Sequence, residues 1–151
     1  MITRVLNIND IAVTKKPTMY RCYGLGSCIG LFVVDRLAGL SGGAHIAVPS
    51  SLDADTFSGA SHLINKLLTS FQEYGSTLTG LRSKVTGGAQ IYESSLNIGK
   101  QNIDSVWHEL VQRKIYIAAA DVGGTISRTA CFNTVTEALE ISTSGHTIYF
   151  I

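Results

Sequence analysis

Residues 24–50 read GLGSCIGLFVVDRLAGLSGGAHIAVPS, and the fold turns on how this stretch pairs with itself. Two apolar runs, 29–35 and 43–48, are rich in Val, Ile and Phe, and the intervening RLAGLSG carries the Gly and Ser of a turn. The stretch therefore predicts a β-hairpin. With the turn centred near Leu37 or Ala38, Cys28 falls opposite a residue between Ile46 and Val48, and a bulge at the glycines can shift this by one or two. His45 is then a cross-strand or diagonal neighbour of Cys28, about 4.5–8 Å away between Cβ atoms. The two side chains meet only if they share a face, and the sequence leaves that parity open.

Outward from the hairpin, further strands are expected near residues 3–6, 11–14, 18–23, 81–86, 115–121, 127–133, 137–142 and 147–151. Each is rich in β-branched or aromatic residues and cut by Gly, Asn, Asp or Ser. Two segments instead carry a helical period. From Phe57 to Tyr74 the stripe is Ala60, Leu63, Ile64, Leu67, Leu68 and Phe71; from Ile98 to Lys114 it is Ile103, Val106, Trp107, Leu110 and Val111. Few strands are joined by helices, so an α/β protein with a largely antiparallel or mixed sheet and two covering helices is expected. The segment from Thr134 to Ile151 reads as a pair of added or edge strands.

A chain of 151 residues fits one domain, 1–151, and 45% apolar against 15% charged residues suits segments buried on both faces. The net charge of +1 is spread without a basic stripe, which argues against nucleic acid as a partner. MITRVLNINDIAV has no basic region followed by an apolar core, and no apolar run approaches the roughly 20 residues of a bilayer span, so a cytoplasmic protein is expected. The odd cysteine set of Cys22, Cys28 and Cys131 points to thiols rather than disulfides. Their spacing matches no zinc pattern, although the three could converge with His45.

SGGAH at 41–45, TGGAQ at 86–90 and VGGT at 122–125 repeat a glycine pair near a strand end. Such pairs permit positive φ and close backbone approach, so they either line a common cleft or make three tight turns. None is a nucleotide loop, because YGLGSCIG lacks the G-x-G-x-x-G spacing and GxxxxGK[ST] is absent.

Cys28 has two readings on these residues alone: a small buried hydrophobe, or a nucleophile with His45 as its base. A free thiol is mostly protonated at neutral pH, and an adjacent imidazolium or backbone amides would lower its pKa and free the thiolate to attack a carbonyl carbon. The lean backbone of Gly26, Ser27, Cys28 and Ile29 can aim N–H groups at an oxyanion. His62 and His108 read as helix-surface residues, His146 as a turn residue and Cys131 as core. Gln90 and Asp121 are candidates for the cleft wall.

The run from Gly24 to Ser50 resembles the signature of the chemoreceptor glutamine deamidases, the CheD family: a G-S-C strand, a turn, and a G-x-x-H-x-x-x-P strand. KVTGGAQIY at 84–92, IGKQN at 98–102 and DVGGTISRTACFN at 121–133 follow in the family's order. The resemblance implies a three-layer α/β/α sandwich and hydrolysis of glutamine side-chain amides on methyl-accepting chemotaxis receptors. It implies Cys28 as nucleophile, His45 as general base, no cofactor, and a CheC-type phosphatase as a further partner. One position departs from the pattern. The family's third catalytic residue is a threonine six places before the nucleophile, and here that slot holds Cys22, a weak acceptor for an imidazole N–H. Either Cys22 serves there, another group or a backbone carbonyl serves instead, or the chain is a non-catalytic binding module. A reversible Cys22–Cys28 disulfide is a further, redox-sensing reading.

Overall fold

The computed structural model describes residues 1–50, 59–93 and 95–151. Along them run β1 (Ile2–Val5), β2 (Ile11–Thr14), β3 (Thr18–Leu25), β4 (Ile29–Asp35), β5 (Leu40–Ile46), α1 (Ala60–Glu73), β6 (Arg82–Gly87), α2 (Ile98–Gln112), β7 (Tyr116–Val122), β8 (Arg128–Asn133), β9 (Leu139–Thr143) and β10 (Ile148–Phe150). The expected strands all form. Phe57, expected to open the first helix, lies outside the described residues.

The quoted hairpin forms as its apolar runs require. β4 and β5 pair antiparallel from Asp35↔Leu40 to Ile29↔Ile46, with Gly30 directly opposite His45. The loop is fixed by Asp35, whose Oδ1 accepts the amides of Leu37 and Ala38 and whose Oδ2 accepts the Ser76 hydroxyl. Gly39 closes it at a φ of 62°, a conformation glycine adopts without a Cβ penalty.

Two five-stranded sheets result, β2-β5-β4-β6-β7 and β1-β3-β8-β9-β10. Each is antiparallel except for one parallel pair, β6 with β7 in the first and β1 with β3 in the second. The β6–β7 pair is parallel because α2 carries the chain across between them. Odd residues of β4, Ile29, Leu31 and Val33, pack with α1 and α2 in one core, while Phe32 and Val34 pack with Tyr20, Cys22 and Phe132 of the second sheet in another. The three layers of this α/β fold are thus helices, inner sheet and outer sheet, with the second sheet as the third layer because both helices cover one face of the first. Phe32 stacks on Phe132 across the sheets with ring centroids 5.1 Å apart. No helix among the described residues is long and apolar enough to cross a membrane.

The second helix departs from its expected stripe. Its buried face is Gly99, Asn102, Val106, Glu109 and Leu110, while Trp107 is 38% and Val111 60% exposed. Two polar residues take the inward positions because each is bonded there, Asn102 to backbone carbonyls and Glu109 to Arg113. Asn97 caps the helix by accepting the Lys100 amide. It ends at Gln112 rather than Lys114, since Lys114 has turned to a φ of 58°. Arg113 and Lys114 therefore lie just beyond the last turn.

Candidate active site

Continuing the hairpin register by one residue sets Cys28 against Ala47, within the interval read from the sequence. Parity is settled as well. Directly opposed residues share a face, so His45 projects with Gly30, and Cys28 stands two residues from Gly30 on that same face. It is the face of Phe32 and Val34, toward the outer sheet. Cys28 packs against the inter-sheet core that contains Cys22. Nucleophile candidate, imidazole and the residue in the threonine slot therefore all face the space between the sheets, and no hydrogen bond joins Cys28 to His45 Nε2. Cys131 does not join them: it pairs with Arg21 while Cys22 pairs with Ala130, so it projects from the opposite face of the outer sheet. All three cysteines are free thiols.

His45 is only 4% exposed, and its Nδ1 lies 2.8 Å from the carbonyl of Leu6. A carbonyl can only accept, so Nδ1 carries the hydrogen, and in the neutral ring that leaves the lone pair on Nε2. Nε2 is buried with no hydrogen-bond partner among the described residues. In the neutral ring Nε2 is thus an unused acceptor, and the group that fixes this tautomer is a backbone carbonyl. Leu6 is itself anchored, its amide donating to the Arg21 carbonyl and its side chain buried in the inter-sheet core.

Burial pushes the Cys28 thiol above its ordinary pKa, so the expected lowering is absent. The physical reason is desolvation: taking the site out of water penalises the charged thiolate. Cys22 is fully buried and pushed up to about 12, first by burial and then by Cys28 and Asp10, so it remains a thiol at neutral pH.

The backbone around Cys28 is tied by its carbonyls. Gly26 accepts the Ala89 amide, Ser27 accepts the Asn102 side chain at 2.8 Å, and Cys28 accepts the Gly88 amide. The amides of Ser27 and Cys28 have no acceptor among the described residues, whereas that of Gly26 is spent on Gly24. Ile29 is fully buried on the helix side, and its backbone belongs to the ladder opposite Ile46. Of the oxyanion candidates, the geometry thus leaves Ser27 and Cys28 with available donors.

Cys28 opens into a cleft of about 410 Å³ whose lining includes Gly26, Ser27, Ile91, Tyr92 and Leu96. Gln90 lines it too, while Asp121 instead pairs with Arg128 and accepts the Tyr149 hydroxyl. The second and third glycine pairs meet at this end of the molecule: Gly123 donates to Gly87, and Gln90 to Gly124. Gly87 has a φ of 109°, and a Cβ there would sit 2.1 Å from the Cys28 carbonyl oxygen. The first pair, Gly42 and Gly43, lies within β5, where a Cβ would strike Phe71 on one face and Leu6 on the other. His62 and His108 are exposed on their helices and His146 sits in a turn, away from this site.

Fold and site together define an α/β protein with a half-buried thiol and a buried, tautomer-fixed imidazole on one face of a hairpin. The model of the CheD chemotactic sensory transduction family matches residues 49–143. A protein of Clostridium tetani named "Probable chemoreceptor glutamine deamidase CheD" is 32% identical over 149 residues, 93% of this chain and 90% of its own. A "Chemoreceptor glutamine deamidase CheD" of Halalkalibacterium halodurans is 34% identical, covering 89% of each. The chain belongs to the CheD family. The crystal structure of the hypothetical protein YfiH of Bacillus licheniformis shares the fold, with a TM-score of 0.54 at 14% identity over 77% of this chain and 51% of its own.

Proposed function

We propose that this chain is a protein-glutamine deamidase that hydrolyses glutamine side-chain amides of methyl-accepting chemotaxis receptors to glutamates. On this reading the whole chain acts as one domain, in the cytoplasm, with Cys28 and His45 as its catalytic pair. The observation that carries it is the imidazole: Nδ1–H fixed on the Leu6 carbonyl, Nε2 open, and Cys28 on the same face.

Neutral His45 takes the Cys28 proton at Nε2 as the thiolate attacks the carboxamide carbon. The carbonyl electron pair moves to oxygen, where the Ser27 and Cys28 amides can receive the charge. Collapse breaks the C–N bond, and the His45 proton leaves with nitrogen as ammonia. A water molecule, giving its proton to His45, then attacks the thioester; the acid departs and the proton returns to sulfur. A raised thiol pKa works against a preformed thiolate, so on this reading the base removes the proton as sulfur attacks rather than beforehand.

Purified protein is expected to release ammonia from chemoreceptor fragments, with the glutamine mass rising by one unit on conversion, and Cys28→Ala to release none. Equal release by both proteins overturns the reading. A second reading, a non-catalytic module that binds a CheC-type phosphatase or a receptor, is favoured by Cys22 in the threonine slot. It expects binding that survives Cys28→Ala and no ammonia from any receptor.

A further inference from the structure

The ladder between β4 and β5 ends at Ile29↔Ile46, one residue short of Cys28 and one beyond His45. Past that point the two arms are joined by a third element. Asn102, fully buried on α2, donates from Nδ2 to the Ser27 carbonyl at 2.8 Å and to the Ala47 carbonyl at 3.1 Å. Ser27 precedes the thiol, and Ala47 stands two residues after the imidazole. We infer that Asn102 is a positioning residue that clamps the Cys28 arm to the His45 arm and so sets the approach of sulfur to Nε2. This rests on the reading of Cys28 and His45 as the reacting pair.

The residue type follows from the task. Two carbonyl oxygens must be satisfied from one short side chain, which requires two hydrogens on one atom; an aspartate offers none, a serine one and a leucine none. The same two acceptors fix which end of the amide is nitrogen. Its Oδ1 is buried with no partner among the described residues, a cost that a leucine of similar volume does not carry. Packing against the loop is close enough to make the clamp stiff. Gly99, on the same face of α2, lets the helix backbone meet the next loop, since a Cβ there would lie 2.4 Å from the Ala89 carbonyl oxygen and 2.5 Å from that of Gly88. Gly88 and Ala89 in turn hold the carbonyls of Cys28 and Gly26. The nucleophile segment is thus held by two backbone bonds from the loop that packs on the helix and by one side chain of the helix itself, and only that side chain also reaches the His45 arm.

The test compares wild type, Asn102→Ala, Asn102→Asp, Asn102→Ser and His45→Ala by glutamine deamidation kinetics and by the rate at which iodoacetamide labels Cys28 across pH. A misplaced pair costs about tenfold to a hundredfold in kcat, and that loss is expected for the alanine and aspartate variants with KM nearly unchanged. Their Cys28 labelling should move toward that of His45→Ala while Cys131 labels as before, and the serine variant, with one donor, should fall between. Labelling and kcat at wild-type levels in folded Asn102 variants overturn the clamp while leaving the pair intact. Labelling indifferent to His45→Ala removes the pair itself, and the clamp's role with it. Should the variants not fold, the Asn102 side-chain amide resonances of the wild-type protein are expected to shift on alkylation of Cys28; unchanged resonances overturn the proposal.

Discussion

At the scale of single residues, the proposed mechanism predicts a small consequence for the departure at position 22. The Leu6 carbonyl already holds the His45 Nδ1 hydrogen, so no side chain is needed there for the tautomer. Cys22→Ala is accordingly expected to leave kcat near the wild-type value, and Cys22→Thr to gain little; nitrogen NMR of His45 should show the same tautomer in both. A collapse of activity in Cys22→Ala with the fold intact would assign the sulfur a direct part. The resting Cys28 thiol, pushed up by burial, should label more slowly than an ordinary thiol near pH 8.5 and accelerate as pH rises. Counting along the hairpin brought Cys28 and His45 near each other but left their shared face open, which the register decides. Asn102 closes the IGKQN motif at 98–102, yet its inward position was not legible, because apolar periodicity prefers its neighbour Ile103 for the buried face. Nor was Leu6, whose contribution is a carbonyl that every residue type possesses.

At the scale of elements, the two glycine turns that flank the thiol are held by one arginine. Arg128, 8% exposed, donates to Asp121 at 3.2 Å and to the Gly123 carbonyl at 2.9 Å, with a longer contact to the Gly87 carbonyl at 3.5 Å. Tyr149 of β10 bonds the same Asp121 carboxylate, so the last strand is tied to this staple. Arg128→Met strands a carboxylate and buried carbonyls together. Allowing for the partial exposure of Asp121, it is expected to cost about 2–3 kcal/mol in urea unfolding. Gly87→Ala is expected to cost about 3 kcal/mol or more and to abolish ammonia release, since both its φ and the Cys28 carbonyl exclude a Cβ. The three glycine pairs look alike in sequence yet divide in structure. Only 87–88 and 123–124 have positive φ, whereas 42–43 are strand residues whose missing side chains admit Phe71 and Leu6. Sequence records the absence of a Cβ but not which of these two uses it serves.

For the whole molecule, the layer order follows from burial patterns that the letters partly carry. IGLFVVD is buried at every position, as a middle layer requires, while TMYRCY alternates buried and half-exposed, as an outer layer with one open face requires. What the letters do not carry is which alternating strands assemble into one sheet, because that depends on pairings over long sequence separations, such as β3 with β8. The core between the sheets has a titration consequence. It encloses Tyr20 and Cys22, both raised to about 12 by burial from ordinary values of 10.0 and 9.0. Unfolding returns each to water and its ordinary value, so above pH 9 the unfolded chain binds fewer protons than the native one. Stability is then fully present below that pH and is lost as pH climbs toward 12, by up to about 1.4 kcal/mol per pH unit for each group. Urea midpoints measured at about pH 8 and about pH 11 should fall accordingly. Cys22→Ala removes one of the two protons, so its midpoint should decline less steeply than that of the wild type; parallel declines would show that the Cys22 thiol does not keep its proton inside the alkaline native fold.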